Sequence, residues 1–258
     1  MTDTDDMLAR RVVALLDLTS LNVDDDEARI DALCHRALTP LGPVAAVCVY
    51  PRFVALARRT LDALGGAQVR VATVCNFPGG EAMPDAVLAE VDAALEAGAD
   101  EIDLVYPYRT LMAGDEAAGS ALVGAVKARC HDRALLKVIL ETGELRDLLL
   151  VRRASEAAIA AGADFIKTST GKVPVNATAA AAEVMLDVIA ATGGRVGFKP
   201  AGGMRSVPDA LVYLWLAERL LGSDWPSPMH LRFGASSLLD DVLRRAGVGG
   251  DALAAGGY

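Results

Sequence analysis

Ala97-Gly-Ala-Asp-Glu-Ile-Asp103 and Ala161-Gly-Ala-Asp-Phe-Ile-Lys167 agree at five of seven positions. Each follows an Ala/Leu-rich stretch with charges at helical spacing and opens a short apolar run. The pattern reads as a helix ended by glycine, a tight turn, and the start of a strand. Asp103 and Lys167 then occupy equivalent positions on two strands.

Outward from this pair, apolar runs recur along the whole chain. They are Ala14–Leu18, Ala45–Tyr50, Val69–Val74, Glu101–Val105, Leu135–Leu140, Asp164–Thr168, Val196–Lys199 and Leu231–Gly234, with centres about 25 to 35 residues apart. Between them lie helical patterns such as Asp85–Ala97, Leu148–Ala160 and Ala179–Ala191. Alternating strands and helices mean βα units and a parallel sheet. Eight units in 258 residues favour one closed (β/α)8 barrel, spanning 1–258, over an open doubly wound sheet. A short N-terminal helix precedes it, and the Gly/Ala-rich segment 247–258 is expected to be a mobile tail. Side chains from alternate strands share a layer in such a barrel. Asp103 on the fourth strand and Lys167 on the sixth are therefore expected to face each other across the interior.

Composition narrows the function. Apolar residues make up 53% and charged residues 23% of the chain, enough for a sizeable core. No uncharged apolar run reaches the 18 residues of a membrane helix, and the acidic start Met1-Thr-Asp-Thr-Asp-Asp is unlike a secretory signal. A cytoplasmic location, with no membrane partner, is the expectation. The net charge of −9 argues against a nucleic-acid partner. Four dispersed cysteines and three scattered histidines form no metal motif, so no metal is expected.

Only five of the 25 cationic residues are lysine, as if arginine served wherever a solvated cation was needed. Lys137, Lys167 and Lys199 nonetheless interrupt the apolar runs LLKVIL, DFIKTST and VGFKPAGG. A buried ammonium is costly unless paired or neutralised. Adjacent strands lie about 4.8 Å apart, so the Lys167 and Lys199 amines are expected within roughly 5 Å if both point inward. At an effective dielectric of about 20 they would repel by about 3 kcal/mol, roughly two pKa units. That lowering makes an amine nucleophile; spacing does not say which lysine it is. Asp103 suits acid–base work and Asp17 substrate hydroxyl binding, although either would equally serve as partner of a buried lysine.

Pro200-Ala-Gly-Gly-Met-Arg205 follows the seventh strand and Phe233-Gly-Ala-Ser-Ser237 the eighth, each opening a helix. Barrels frequently bind phosphate there, through backbone N–H groups at glycines and serine hydroxyls. Thr168-Ser-Thr-Gly-Lys172 adds donors and a cation.

With these residues in hand, a resemblance covers nearly the whole chain. ALLDLTSLN (14–22), VCVYPRF (47–53), CNFPGG (75–80), EIDLVYPYRTLMAGD (101–115), LLKVILETGEL (135–145), GADFIKTSTGK (162–172), GFKPAGG (197–203) and RFGASSLL (232–239) resemble the 2-deoxyribose-5-phosphate aldolase family. The resemblance implies a class I aldolase, a lyase of carbohydrate catabolism that splits 2-deoxyribose 5-phosphate into glyceraldehyde 3-phosphate and acetaldehyde without metal or organic cofactor. It makes Lys167 the Schiff-base nucleophile, Lys199 the perturbing lysine and Asp103 the acid–base partner. It maps substrate contacts to Asp17, Thr19, Cys48, Thr170 and the C-terminal Tyr258. Phosphate contacts map to Gly171, Lys172, Gly202, Gly203, Ser236 and Ser237. The implied partners are small sugar phosphates and aldehydes, and the Ala/Leu-rich outer faces are compatible with a homodimer. Another Schiff-base sugar-phosphate aldolase and a non-covalent isomerase are the rival readings.

Overall fold

The structure is a computed structural model that describes residues 3–248. Eight strands form one parallel sheet: β1 Leu16–Thr19, β2 Ala46–Val49, β3 Arg70–Cys75, β4 Glu101–Val105, β5 Leu135–Ile139, β6 Phe165–Lys167, β7 Gly197–Lys199 and β8 Phe233–Ala235. Each pairs with its neighbour in sequence, and β8 pairs with β1. Parallel bridges Phe198↔Leu231 and Ala201↔Gly234 join β7 to β8 and complete the ring. The expected (β/α)8 barrel is therefore what forms, its strands within two residues of the apolar runs at nearly every end. Helix Asp3–Ala14 precedes β1, and the helices Leu148–Ala160 and Ala179–Ala191 begin and end where the periodicity placed them. Of the expected tail, residues 249–258 lie outside the described residues, and Tyr258 with them.

The Gly-Ala-Asp repeat has a physical reason beyond the turn. Gly98 and Gly162 end their helices at φ +95° and +101°, where a side chain would be strained. The aspartate that follows then clips two strands together. The Asp100 carboxylate accepts from Val71 N at 2.8 Å, and that of Asp164 from Leu136 N at 2.7 Å. Lys127 holds Asp164 from outside at 2.6 Å. The two strands carrying Asp103 and Lys167 are thus started by the same device.

Strand alternation divides the side chains into two sets. Val47, Val49, Ile102, Leu104, Val138, Ile166 and Phe198 pack outward with the helices in the main core. Inside, one sector is small and apolar, with Ala46, Cys48, Ala72 and Val74 packed beside Leu21. The rest of the interior is ionic. Two glycines make room for it. A Cβ on Gly197 would lie 2.3 Å from the Phe165 ring, and one on Gly234 would lie 2.9 Å from Ala201 Cβ and 3.1 Å from Lys199 Cε. Among the described residues no helix is long and apolar enough to cross a membrane.

Gly197→Ala has no room for its methyl group without moving Phe165. We expect a loss of about 1–3 kcal/mol from overpacking, a fall in Tm of roughly 2–12 °C. An unchanged thermal melt would mean that Phe165 is free to move.

Candidate active site

Inward-facing residues of several strands, two of them on β4, build the ionic interior in two tiers. Toward the N-terminal ends of the strands lie Asp17, Glu101 and Arg232, all at most 2% exposed. One step toward the C-terminal ends lie Asp103, Lys137, Lys167 and Lys199. The register makes the neighbours: Asp103 pairs with Lys137 and Lys167 with Lys199.

Asp103 is the hub. Its Oδ2 accepts from Lys167 Nζ and Lys199 Nζ at 2.8 Å each, and its Oδ1 accepts from Lys137 Nζ at 2.9 Å. The expected facing of Asp103 and Lys167 is observed, and the Lys167 and Lys199 amines converge on a single oxygen. Lys137 also donates to Glu101 at 2.5 Å, and Lys199 forms an ion pair with Asp17 at 2.5 Å. Arg232 closes the lower tier, 2.7 Å from Asp17 and 2.8 Å from Glu101. Among the described residues, no group of three His, Cys, Asp or Glu side chains is arranged to hold a metal ion.

Electrostatics separate the three lysines. Burial pushes the Lys167 amine below the ordinary lysine value; the Lys199 charge pushes the same way, and Asp103 only partly opposes them. Burial also works against the Lys199 ammonium, but Asp103 and Asp17 outweigh it and raise that amine well above the ordinary value. Lys137 is raised too, by Asp103 and Glu101 against burial. Burial would raise the Asp103 carboxyl, yet the three lysines hold it well below the usual range. Asp17 is lowered in the same way by Lys199 and Arg232. Spacing left the nucleophile open; these environments favour Lys167 as the amine that loses its proton.

Lys167 is also the lysine that reaches the surface of a cavity of about 260 Å³ at the C-terminal ends of the strands. Three loops wall that cavity: Thr170, Gly171 and Lys172 after β6, Gly202 to Arg205 after β7, and Ser236 and Ser237 after β8, with Thr19, Leu21 and Asn22 opposite. Helix Val207–Leu221 anchors the second loop, since Asp209 accepts from Arg205 N at 3.0 Å and Ser206 N at 2.9 Å. Gly202 combines φ +81° with a site where a Cβ would meet Asn176 at 2.6 Å. Besides the Lys167 amine, the lining contains two cations, Lys172 and Arg205, and no carboxylate. In a chain of net charge −9, that is a local site for an anion.

A family model for DeoC/LacD aldolases matches residues 11–241. The chain belongs to the DeoC/LacD aldolase family. Its structure is similar to that of a protein from Coccidioides immitis assigned as a deoxyribose-phosphate aldolase, at 28% identity over 92% of this chain and 87% of that one, TM-score 0.80. It is also similar to a protein of the same assignment from Toxoplasma gondii ME49, at 26% identity over 97% and 100% of the two chains, TM-score 0.87. A tetrameric deoxyribose phosphate aldolase from Aeropyrum pernix, 24% identical over 96% and 99%, shares the fold at TM-score 0.75. The chain is therefore an aldolase, a lyase acting on carbon–carbon bonds.

The aldolase's expected site residues fall into two groups. Lys167, Thr19, Thr170, Gly171, Lys172, Gly202, Gly203, Ser236 and Ser237 meet at the cavity. Asp17, Cys48, Asp103 and Lys199 lie behind it, fully buried. Asp17 does not reach the cavity surface, and its carboxylate is taken by Arg232 and Lys199. Sequence reasoning missed Glu101, Arg232, Arg205 and Glu141. Glu101 and Arg232 stand two residues from Asp103 and Gly234, the same-face spacing that a strand requires, and that was the available signal. Buried Arg232 also corrects the expectation that arginine here serves solvated positions. Glu141, fully buried at φ +55°, accepts from Thr170 Oγ1 at 2.5 Å and Thr170 N at 3.2 Å, steadying the loop after β6. Lys172 Nζ spans the cavity to donate to Leu21 O at 2.5 Å.

The depressed carboxyls of Asp17 and Asp103 link stability to pH. Folded, they give up protons more readily than unfolded, so the stability they supply is complete above about pH 4. It drains away as pH falls through their folded range. The urea midpoint is expected to fall steeply below about pH 4, and less steeply in Asp103→Asn. Equal slopes in the two proteins would remove Asp103 from the linkage.

Proposed function

We propose that the protein is a class I aldolase that reversibly cleaves 2-deoxyribose 5-phosphate to glyceraldehyde 3-phosphate and acetaldehyde. The observation that carries this is Lys167: a buried amine with a lowered proton affinity, opening on a cavity whose charged lining is wholly cationic. An amine nucleophile and an anion site within one small cavity suit an aldehyde that ends in phosphate.

The neutral Lys167 amine attacks the C1 aldehyde of the open-chain sugar phosphate. Loss of water gives a protonated imine that draws electrons from the C2–C3 bond. That bond breaks as the C3 hydroxyl loses its proton, because acetaldehyde carries away two carbons. Glyceraldehyde 3-phosphate leaves. The remaining enamine is protonated at C2, and hydrolysis frees acetaldehyde and the amine. Asp103, ionised and hydrogen-bonded to Lys167 and Lys199, is the group suited to accept and return protons. Lys199, held as an ammonium by two carboxylates, keeps Lys167 from holding its own proton. Gly171, Lys172, Gly202, Gly203, Ser236 and Ser237, with Arg205, hold the phosphate by backbone and hydroxyl donors and positive charge. Thr19 and Thr170 bound the sugar between the two ends. Asp17 acts by fixing Lys199, and Cys48 keeps the wall beside the lysines small and apolar.

Incubation with 2-deoxyribose 5-phosphate, followed by NMR, is expected to yield acetaldehyde and glyceraldehyde 3-phosphate in equal amounts. Lys167→Leu abolishes the reaction. Lys172→Met raises KM about tenfold, the worth of one charge-assisted hydrogen bond, with a smaller change in kcat. Lys199→Leu moves the acid limb of the kcat/KM profile to higher pH, since losing the neighbouring ammonium lets Lys167 keep its proton longer. Full turnover by Lys167→Leu would end this reading.

A further inference from the structure

Three carboxylates, Asp17, Glu101 and Asp103, share the barrel interior with four cationic side chains, Lys137, Lys167, Lys199 and Arg232. The cluster is neutral when one cation gives up its proton. Arg232 cannot, because guanidinium stays charged in proteins. It is also the best held of the four. Its Nη1 donates to Asp17 at 2.7 Å and Glu101 at 3.3 Å, its Nη2 to Glu101 at 2.8 Å, and its Nε to Pro228 O. Its plane lies 5.7 Å from the centre of the Phe165 ring. A lysine has no such fork with which to join two carboxylates. Lys137 is tied to three carboxylates, Glu101, Asp103 and, at 3.7 Å, Asp17, and Lys199 to two. Lys167 has one carboxylate partner and the cavity in front of it. Neutralising Lys167 therefore breaks the fewest ion pairs.

We infer that Arg232 is a positioning residue for Lys167: by holding Asp17 and Glu101 as a permanent cation, it completes the charge balance of the cluster without a proton on Lys167. The groups that face Lys167 are Asp103 from β4, Lys137 from β5, Lys199 from β7, Cys48 from β2 and Glu141 after β5, with Asp17, Glu101 and Arg232 one tier behind. Only Arg232 among the cations of this set has a charge that no change of pH removes. The arginine therefore cancels one carboxylate charge in the field in which Lys167 titrates, although it does not touch the cavity. The functional meaning of this role rests on the Schiff-base reading of Lys167.

The test is competitive acetylation with acetic anhydride from pH 5 to 11, read on the Lys167 peptide by mass spectrometry. It needs no sugar or aldehyde. Arg232→Met leaves one carboxylate charge in excess, and the pH of half-maximal Lys167 reactivity is expected to rise by about one unit. Arg232→Lys keeps a charge but loses the fork, and its half-point is expected between those of Arg232→Met and the unaltered protein. Glu101→Gln alone removes a negative charge and moves the half-point down. The double variant E101Q/R232M removes one charge of each sign and returns it to the value of the unaltered protein. Should Arg232→Met fail to fold, Glu101→Gln and the double variant carry the test. A half-point that stays fixed across the folded variants, or that moves with the double variant as far as with Arg232→Met, overturns the inference and leaves Arg232 a packing residue. A Lys167 that responds in this way but forms no imine with acetaldehyde would sink the aldolase chemistry and spare the charge balance.

Discussion

Seven side chains that can carry charge occupy the interior of this barrel, every one at most 3% exposed. Leaving even one unpaired there costs several kcal/mol. The ion pairs among them are therefore a condition of folding as much as an equipment for chemistry. Asp103 satisfies three amines at once, and Arg232 satisfies two carboxylates. The leftover is a single amine in the position nearest the cavity. A fold that must balance its buried charge leaves, at that one place, the lysine with the weakest hold on its proton, the amine that the proposed imine chemistry uses.

The cavity in front of that amine is built on a different principle. Its loops are held from outside, by Asp209 on the loop after β7 and by Glu141 on the loop after β6. Asp241, on the helix after β8, accepts from Val207 N at 2.8 Å and so ties the second and third loops together. The lining cations are not neutralised by any lining carboxylate. The two halves meet at Lys167. In the proposed reaction, this separation holds the phosphate in place while the reacting carbon sits over a group whose proton affinity is set from below.

Much of this architecture is legible in the chain. The Gly-Ala-Asp repeat marks two strand starts because its aspartates clip the preceding strands, and a clip needs that residue at that place. Lys137, Lys167 and Lys199 stand out because an ammonium within an apolar run demands a partner. The glycine-bearing loops stand out because they follow the last strands of a barrel. Arg232 escapes because an arginine at the edge of an apolar run looks like any of the chain's surface cations. Glu101 escapes because its partner is 131 residues away. Cross-barrel pairing depends on which faces of nonadjacent strands converge, and no local pattern carries that. The withdrawal of Asp17 from the cavity is hidden for the same reason, since it follows from Arg232 and Lys199 reaching it first.

We propose that Lys167, alone among the three interior lysines, is the amine that reacts. Treating the protein with acetaldehyde and borohydride, then mapping peptides by mass spectrometry, tests it most directly. One added ethyl group, on Lys167, is expected. An ethyl group on Lys199 in its place would contradict the assignment of the two amines. Absence of label on any interior lysine, with acetaldehyde shown to enter the cavity, would contradict the Schiff base itself.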